Sequence, residues 1–351
     1  MSNNTSNNTS TAWTSFGKGE PLKLTKMPLK TWEEDDVEIQ ITECGICGTD
    51  IHTLDSNWGP TDYPCVAGHE IAGHIIRVGQ NVANFKVGDR AGLGPMVDSC
   101  GECEACQDGI INICEGGYFG TYNSHWRNGE KTYGGFADKW RGNSKFVIKI
   151  PDNISNEAAC TMFCGGITTY APLKRANVGP GSVVGVMGIG GLGHFGVIFA
   201  KAMGARVIAM SHSDVKKDVA LELGADGYIN TSDDETMKKY YKKLTHILCT
   251  GMSEDFTWEK YLPTLKPNGV FINVSGQGWK LPAIDPLFLL LLQVSIAGSA
   301  AGSPAEAKEM LKLASEKNLK PWYQTYPMTQ INTALEDFRA GKPRFRFVLK
   351  N

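Results

Sequence analysis

Two periodicities divide the chain. From about residue 20 to 150, apolar and polar residues alternate over short stretches such as Val37-Glu38-Ile39-Gln40-Ile41, the period of a half-buried strand. Gly88-Asp89 and the glycines at Gly92 and Gly94 punctuate these stretches as tight turns, so this half reads as all-β. After Pro151 the pattern changes. Ser182-Val183-Val184-Gly185-Val186-Met187 is a continuous apolar run, as expected of a parallel strand buried on both faces. The residues then predict a helix over 194–203 and a strand over 206–210. The alternation continues with helix 214–223, strand 227–230, helix 234–242, strand 245–249, helix 254–265 and strand 269–274. This repetition predicts a doubly wound parallel sheet, hence an α/β protein with a β-rich second part. Helices over 304–317 and 329–340 and a closing strand over 345–349 complete the chain.

Length and charge narrow the classes. A chain of 351 residues suggests about two domains. Its 35 Lys and Arg against 37 Asp and Glu leave a net charge of −2, so nothing favours nucleic acid or an anionic membrane as partner. The longest apolar run, Pro286 to Leu292, falls short of the roughly 20 residues that a bilayer requires. It reads as a buried helix leading into a strand over 294–297. The first twelve residues, MSNNTSNNTSTA, are polar, lack the apolar core of a secretory signal and read as a flexible tail. The expected location is the reducing cytoplasm, where clustered cysteines hold metal rather than pair as disulfides.

Gly188-Ile189-Gly190-Gly191-Leu192-Gly193 is a G-x-G-x-x-G loop set between a buried strand and a helix. Gly188 permits the tight turn, Gly190 lets the backbone approach a pyrophosphate, and Gly193 lets helix pack on strand. Amides at the helix start, around Gly191 and Leu192, then hold the phosphates. The end of the second strand selects the cofactor. Ser211-His212-Ser213-Asp214 stands there, followed by Lys216 and Lys217, with no carboxylate at position 211. Ser211, Ser213 and Lys216 suit the 2′-phosphate of NADP. If the strand runs on past 211, Asp214 contacts a ribose instead.

Cys100, Cys103, Cys106 and Cys114 have the form C-x2-C-x2-C-x7-C. Four thiolates in one short loop close a tetrahedral shell, which marks a structural zinc rather than a catalytic one. A ferredoxin run places its fourth Cys three residues on, not seven. A second set of metal-type residues is dispersed: Cys47 in Gly45-Ile46-Cys47-Gly48-Thr49-Asp50-Ile51-His52, His69 and Glu70 in Gly68-His69-Glu70, and Cys164 in Phe163-Cys164-Gly165-Gly166. Taken singly, Cys47 and Cys164 also read as small buried apolar residues and His69 as a core histidine.

Taken together and in order, these motifs resemble the zinc-dependent medium-chain alcohol dehydrogenases over nearly the whole chain after residue 12. The sequences Gly134-Gly135-Phe136-Ala137-Asp138, Lys145 to Pro151, the Ser-x-Ser strand end and Arg344-Phe345-Arg346-Phe347-Val348 resemble the cinnamyl-alcohol-dehydrogenase branch. The resemblance implies a GroES-like β-rich catalytic domain over 13–157 and 301–351, after a tail over 1–12. It implies a Rossmann NADP-binding domain over 158–300. It further implies two zinc ions per chain, the catalytic one held by Cys47, His69 and Cys164, with Glu70 as alternate ligand. Asp50 orients His69, Thr49 bonds the reacting oxygen, and His52 passes the proton to solvent through a cofactor ribose hydroxyl. Arg346 pairs with the pyrophosphate, and Ser299 joins the cofactor contacts. The substrate pocket is expected between the domains, with Trp58, Phe119, Met96, Leu54 and Ala300 as lining. The expected activity is NADP(H)-dependent interconversion of primary alcohols with a broad range of aliphatic and aromatic aldehydes. The expected assembly is a homodimer joined through strand edges near Val294–Ala297. A degenerate relative that binds without chemistry is the competing reading.

Overall fold

A computed structural model describes residues 8–276 and 280–351. The chain divides into two units, Met1–Cys164 with Ser303–Asn351, and Gly165–Gly302.

The first unit is built on a seven-stranded sheet. The long strand Asp36–Ile46 lies at its centre because both its edges are taken, by Glu70–Val78 on one side and by Arg346–Lys350 and Lys139–Asn143 on the other. Arg90–Leu93 and Ile148–Lys149 extend the sheet beyond Glu70–Val78, and Tyr323–Pro327 extends it in parallel beyond Arg346–Lys350. The register sets Gly45 opposite Val348 on one side and Glu70 on the other. Val37, Ile39, Ile41, Ile71, Ile75, Phe347 and Leu349 are buried in one apolar core. Arg141 is also buried, because its guanidinium donates from Nε and Nη2 to Glu38 Oε2 at 3.0 and 2.8 Å and from Nη1 to Lys30 O at 2.8 Å. A buried charge is tolerable when it is paired and hydrogen-bonded in this way.

The expectation of a tail over 1–12 fails from Thr9 onward. Residues Thr9–Thr14 form a strand that pairs with Lys23–Pro28. Ser10, Ala12 and Thr14 face inward, and Ser10 Oγ donates to Asp138 Oδ1 at 2.7 Å. A small polar side chain with a buried partner carries no hydrophobic signal, so TSTA reads as tail although it pairs as strand. Residues 1–7 of the expected tail lie outside the described residues.

The second unit is a six-stranded parallel sheet in the order Gly227–Asn230, Arg206–Ser211, Val183–Met187, Leu244–Cys249, Leu265–Asn273, Ser295–Gly298. The chain starts in the middle, winds outward, then returns to wind the other way. The direction reverses between Val183–Met187 and Leu244–Cys249, the place where doubly wound sheets bind ligands at the strands' carboxyl ends. The expected helix over 254–265 is only a short turn, Trp258–Tyr261 followed by Leu262–Thr264, because Pro263 lacks an amide hydrogen for continuation. The helix Pro286–Leu292 is present but not buried. Leu287, Leu290 and Leu291 are 60, 72 and 83% exposed. It leads into the edge strand Ser295–Gly298, beyond which this unit has no further strand among the described residues.

Candidate active site

The first unit gathers the dispersed metal-type residues. Cys47 immediately precedes the helix Gly48–Leu54, and its amide donates to Asp50 Oδ2 at 2.8 Å. His69 and Glu70 stand at the start of the strand Glu70–Val78. Cys164 sits in a π turn, Met162–Gly166, a rare backbone form that recurs at functional sites. One ligand atom from each of Cys47, His69, Glu70 and Cys164 lies within 4.8 Å of the others, and all four residues are buried. The sulfurs of Cys47 and Cys164 are 3.7 Å apart, far beyond the ~2.05 Å of a disulfide. Their shared hydrogen bond holds the Cys47 thiol well below its ordinary range and the Cys164 thiol well above it.

Burial disfavours a charged His69, but the adjacent Asp50 carboxylate and Cys47 together outweigh it and raise the imidazole. Burial pushes Glu70 up to about 7 against the pull of Arg346. Arg346 is itself buried, and its Nη2 donates to Glu70 Oε1. Glu70 Oε2 and Arg346 Nε have no partner among the described residues. Two sulfurs and an imidazole are the three-donor set of a zinc ion with an open fourth position, and the orphaned carboxylate oxygen beside them is a further donor within reach, so these residues fit that metal. Gly45 makes room for the arrangement, since a Cβ there would stand 2.0 Å from Glu70 Oε2.

Cys100, Cys103, Cys106 and Cys114 form the second cluster, their sulfurs within 4.8 Å of one another. Backbone amides point at the sulfurs. Cys100 N donates to Cys114 Sγ at 3.3 Å, Cys103 N to Cys100 Sγ at 3.4 Å, and Glu115 N to Cys103 Sγ at 3.5 Å. Backbone hydrogen bonds from Glu102 and Cys103 lower the Cys100 thiol to about 6. Such amide donors stabilise thiolate, the form that binds metal. Four sulfurs, with no fifth donor grouped with them among the described residues, fit a closed structural zinc shell.

A cavity of about 290 Å³ in the first unit is lined by Thr49, His52, Trp58, His69, Tyr118 and Tyr122, among others. The His52 ring stacks on Trp58 with centroids 4.3 Å apart. Of the residues expected to line a pocket, Trp58 does so here. Leu54 instead belongs to the apolar core, and Met96 is buried outside this cavity. Their spacing could not separate lining from core, since both are apolar.

In the second unit the loop Gly188–Gly193 joins Val183–Met187 to the helix Gly193–Ala202. Gly188 has φ +85°, and a Cβ at Gly193 would lie 1.8 Å from Gly188 O. A Cβ at Gly190 meets nothing within 4 Å, which leaves that stretch of backbone open to a pyrophosphate. The second strand ends at Ser211. Asp214 lies beyond it in the turn Asp214–Lys216 and accepts from Asn230 Nδ2 at 3.2 Å. Lys216 Nζ donates to Ile189 O at 2.7 Å, which brings this cation to the glycine loop. Ser299 follows the strand Ser295–Gly298, and its Oγ accepts from Arg175 at 3.2 Å.

Comparison with known proteins agrees with this arrangement. Residues 33–152 match the alcohol dehydrogenase GroES-like domain, and residues 191–316 match the zinc-binding dehydrogenase domain. An NADP-dependent alcohol dehydrogenase C of Mycolicibacterium smegmatis is 40% identical over 343 residues, 97% of each chain. The chain belongs to the zinc-binding alcohol dehydrogenase family. A solved cinnamyl alcohol dehydrogenase from Sorghum bicolor superposes with a TM-score of 0.92 at 34% identity, covering 97% of both chains. One from Helicobacter pylori, complexed with NADP(H), gives 0.89 at 32% identity, covering 97% of this chain and 98% of that one. The fold is therefore a GroES-like β-rich domain with a Rossmann-type parallel sheet.

Two features of this alcohol dehydrogenase are not marked in its sequence. One is the Arg346–Glu70 ion pair, since the resemblance assigns Arg346 to a pyrophosphate. The other is Tyr122, whose neighbours Gly120-Thr121 and Asn123-Ser124 form no motif, yet whose hydroxyl touches both Asp50 and His69. Burial and the Asp50 charge raise this phenol well above its ordinary range, so it stays a donor.

Proposed function

We propose that this chain interconverts primary alcohols and aldehydes with NADP(H), accepting a broad range of aliphatic and aromatic, cinnamyl-type aldehydes. The observation that carries this reading is His69, which belongs both to the buried Cys47–Cys164 cluster and to the cavity lined by Thr49 and His52. Zinc bound by Cys47, His69 and Cys164 supplies a Lewis acid that makes an alcohol acidic and an aldehyde electrophilic, while the nicotinamide carries the hydride. Thr49 orients the reacting hydroxyl and relays its proton. His52, half-exposed and stacked on Trp58, exchanges that proton with solvent. Asp50 keeps the His69 Nδ1 proton in place, leaving Nε2 as the metal-binding nitrogen. Glu70 stands by as an alternate ligand.

The strand end at Ser211, with Ser213 and Lys216 following and Asp214 turned toward Asn230, supports NADP over NAD. So do the NADP dependence of the Mycolicibacterium protein and the NADP(H) bound to the Helicobacter one. Cys100, Cys103, Cys106 and Cys114 hold the second, structural zinc. The β-rich part, 13–157 with 301–351, carries the chemistry together with Cys164 just beyond it in sequence, and 158–300 carries the cofactor through Gly188–Gly193 and Ser299. We place the enzyme in the cytoplasm as a homodimer. The unpaired edge Ser295–Gly298 and the exposed leucines of Pro286–Leu292 support that assembly. Nothing favours a degenerate relative, because Cys47, His69, Cys164, Thr49 and His52 are all in place. Initial rates for a panel of aldehydes and alcohols with NADPH and NADH test the reading. Turnover of aliphatic and cinnamyl-type aldehydes with NADPH is expected, and two zinc ions per chain without turnover of any of them would refute it.

A further inference from the structure

The Asp50 carboxylate is fully buried and receives four hydrogen bonds. Oδ2 accepts from the Cys47 amide at 2.8 Å. Oδ1 accepts from the Gly68 amide at 3.1 Å, from His69 Nδ1 at 3.0 Å and from the Tyr122 hydroxyl at 2.6 Å. The first three donors come from the two segments that carry Cys47 and His69. Tyr122 alone comes from elsewhere in the chain, and its contact with Asp50 is the shortest of the four. Its oxygen also lies 3.0 Å from His69 Nδ1, so the histidine N–H is shared between Asp50 Oδ1 and Tyr122 Oη.

We propose that Tyr122 is a positioning residue for the metal ligand His69, acting through Asp50. The chemistry follows from donor and acceptor capacity. A carboxylate only accepts, so the phenol must donate to Oδ1, and its lone pairs then face His69 Nδ1. The imidazole proton is held on Nδ1 from two sides, and the lone pair of Nε2 is directed at the metal. Partners behind a metal ligand fix its tautomer and ring orientation, and their loss typically costs about tenfold to a hundredfold in metal affinity or activity. Tyr122 is anchored independently of both motif segments. The adjacent Thr121 donates from its amide to Pro95 O at 3.1 Å and from its hydroxyl to Gly94 O at 2.6 Å. Tyr122 thus braces Asp50 from a third part of the unit.

The proposal rests on the reading of Cys47, His69 and Cys164 as zinc ligands, and the test separates the two. Zinc content and the rate of zinc release to a chelator are measured for the parent, Tyr122→Phe, Thr121→Val and Cys164→Ala. The release phase missing in Cys164→Ala belongs to the catalytic site. In Tyr122→Phe that phase is expected to quicken about tenfold to a hundredfold. The phase of the four-cysteine site should not change. Thr121→Val removes the neighbouring hydroxyl bond but leaves Asp50 untouched, so a merely structural role predicts the same quickening in both variants. Cobalt substituted for zinc reports the ligand field directly, and its visible spectrum should shift in Tyr122→Phe and not in Thr121→Val. Release rates and cobalt spectra equal to those of the parent, or equal changes in both variants, overturn the proposal. A parent that holds one zinc per chain, unchanged by Cys164→Ala, overturns the ligand reading and the proposal with it. If Tyr122→Phe does not fold, Tyr122→Leu, which also lacks the hydroxyl, and the cobalt spectrum of any folded fraction supply the same comparison.

Discussion

Glu70 and Arg346 stand 276 positions apart in the sequence and form one buried ion pair beside Cys47 and Cys164. The pair arises because Arg346–Lys350 and Glu70–Val78 flank the same strand, Asp36–Ile46. Gly45 on that strand leaves the space that Glu70 occupies.

Removing one partner strands the other. Arg346→Leu should cost about 3–5 kcal/mol of folding stability, because it leaves a buried carboxylate without its cation. Adding Glu70→Gln should recover part of that loss. Denaturant unfolding of both variants and the double variant measures the coupling, and fully additive losses would contradict a mutual pair.

The two metal clusters should fail differently. Cys164→Ala is expected to lose one zinc and all turnover while circular dichroism stays that of the parent. Cys103→Ser should weaken the other site, and metal binding there contributes to folding free energy. The melting temperature should then fall by more than the ~2–4 °C that 1 kcal/mol moves a unit of this size. Zinc analysis with thermal unfolding distinguishes the two. An unchanged melting temperature in Cys103→Ser after zinc loss would remove the structural role.

Cofactor choice should turn on Ser211. Hydrogen bonds to a charged phosphate are worth roughly 1.5–3 kcal/mol each, so losing one weakens use of a cofactor about tenfold to a hundredfold. Ser211→Asp places a negative charge where the phosphate would lie and offers NADH a ribose acceptor. The order of kcat/KM for NADPH and NADH should reverse between parent and variant. A parent that already prefers NADH would point to Asp214 as the ribose contact.

Stability of the second unit should carry a histidine signature. Burial lowers the pKa of His246, whose Nε2 donates to Ala176 O at 3.1 Å while Nδ1 faces the Thr245 hydroxyl at 2.9 Å. The folded protein therefore prefers neutral imidazole, and the unfolded chain takes up its proton near pH ~6.5. This contribution is fully present above that pH and is lost as pH falls toward the lower, folded value. The stability difference between parent and His246→Gln should shrink on going from pH 7 downward. Parallel pH profiles for the two proteins would exclude His246 as the source.

Features encoded by local spacing are legible along the chain. The four-cysteine lobe, the glycine loop and the succession of parallel strands each lie within a short window. Their periodicity and spacing follow from backbone geometry that no distant residue alters. The apolar runs could not say which surfaces stay uncovered. Pro286–Leu292 is apolar enough for a core, yet only Phe288, Leu289 and Leu292 pack against one while Leu287, Leu290 and Leu291 face outward, since burial depends on a neighbouring layer and this helix leads into an edge strand. Thr9–Thr14 is polar enough for a tail, yet it pairs as strand because Ser10 finds Asp138. Which distant groups meet follows only from the fold. The meeting of Arg346 with Glu70, and of Tyr122 with Asp50, is set by sheet register and loop path. Neither pair has a spacing to read, because a hydrogen bond between residues tens or hundreds of positions apart leaves no period along the chain.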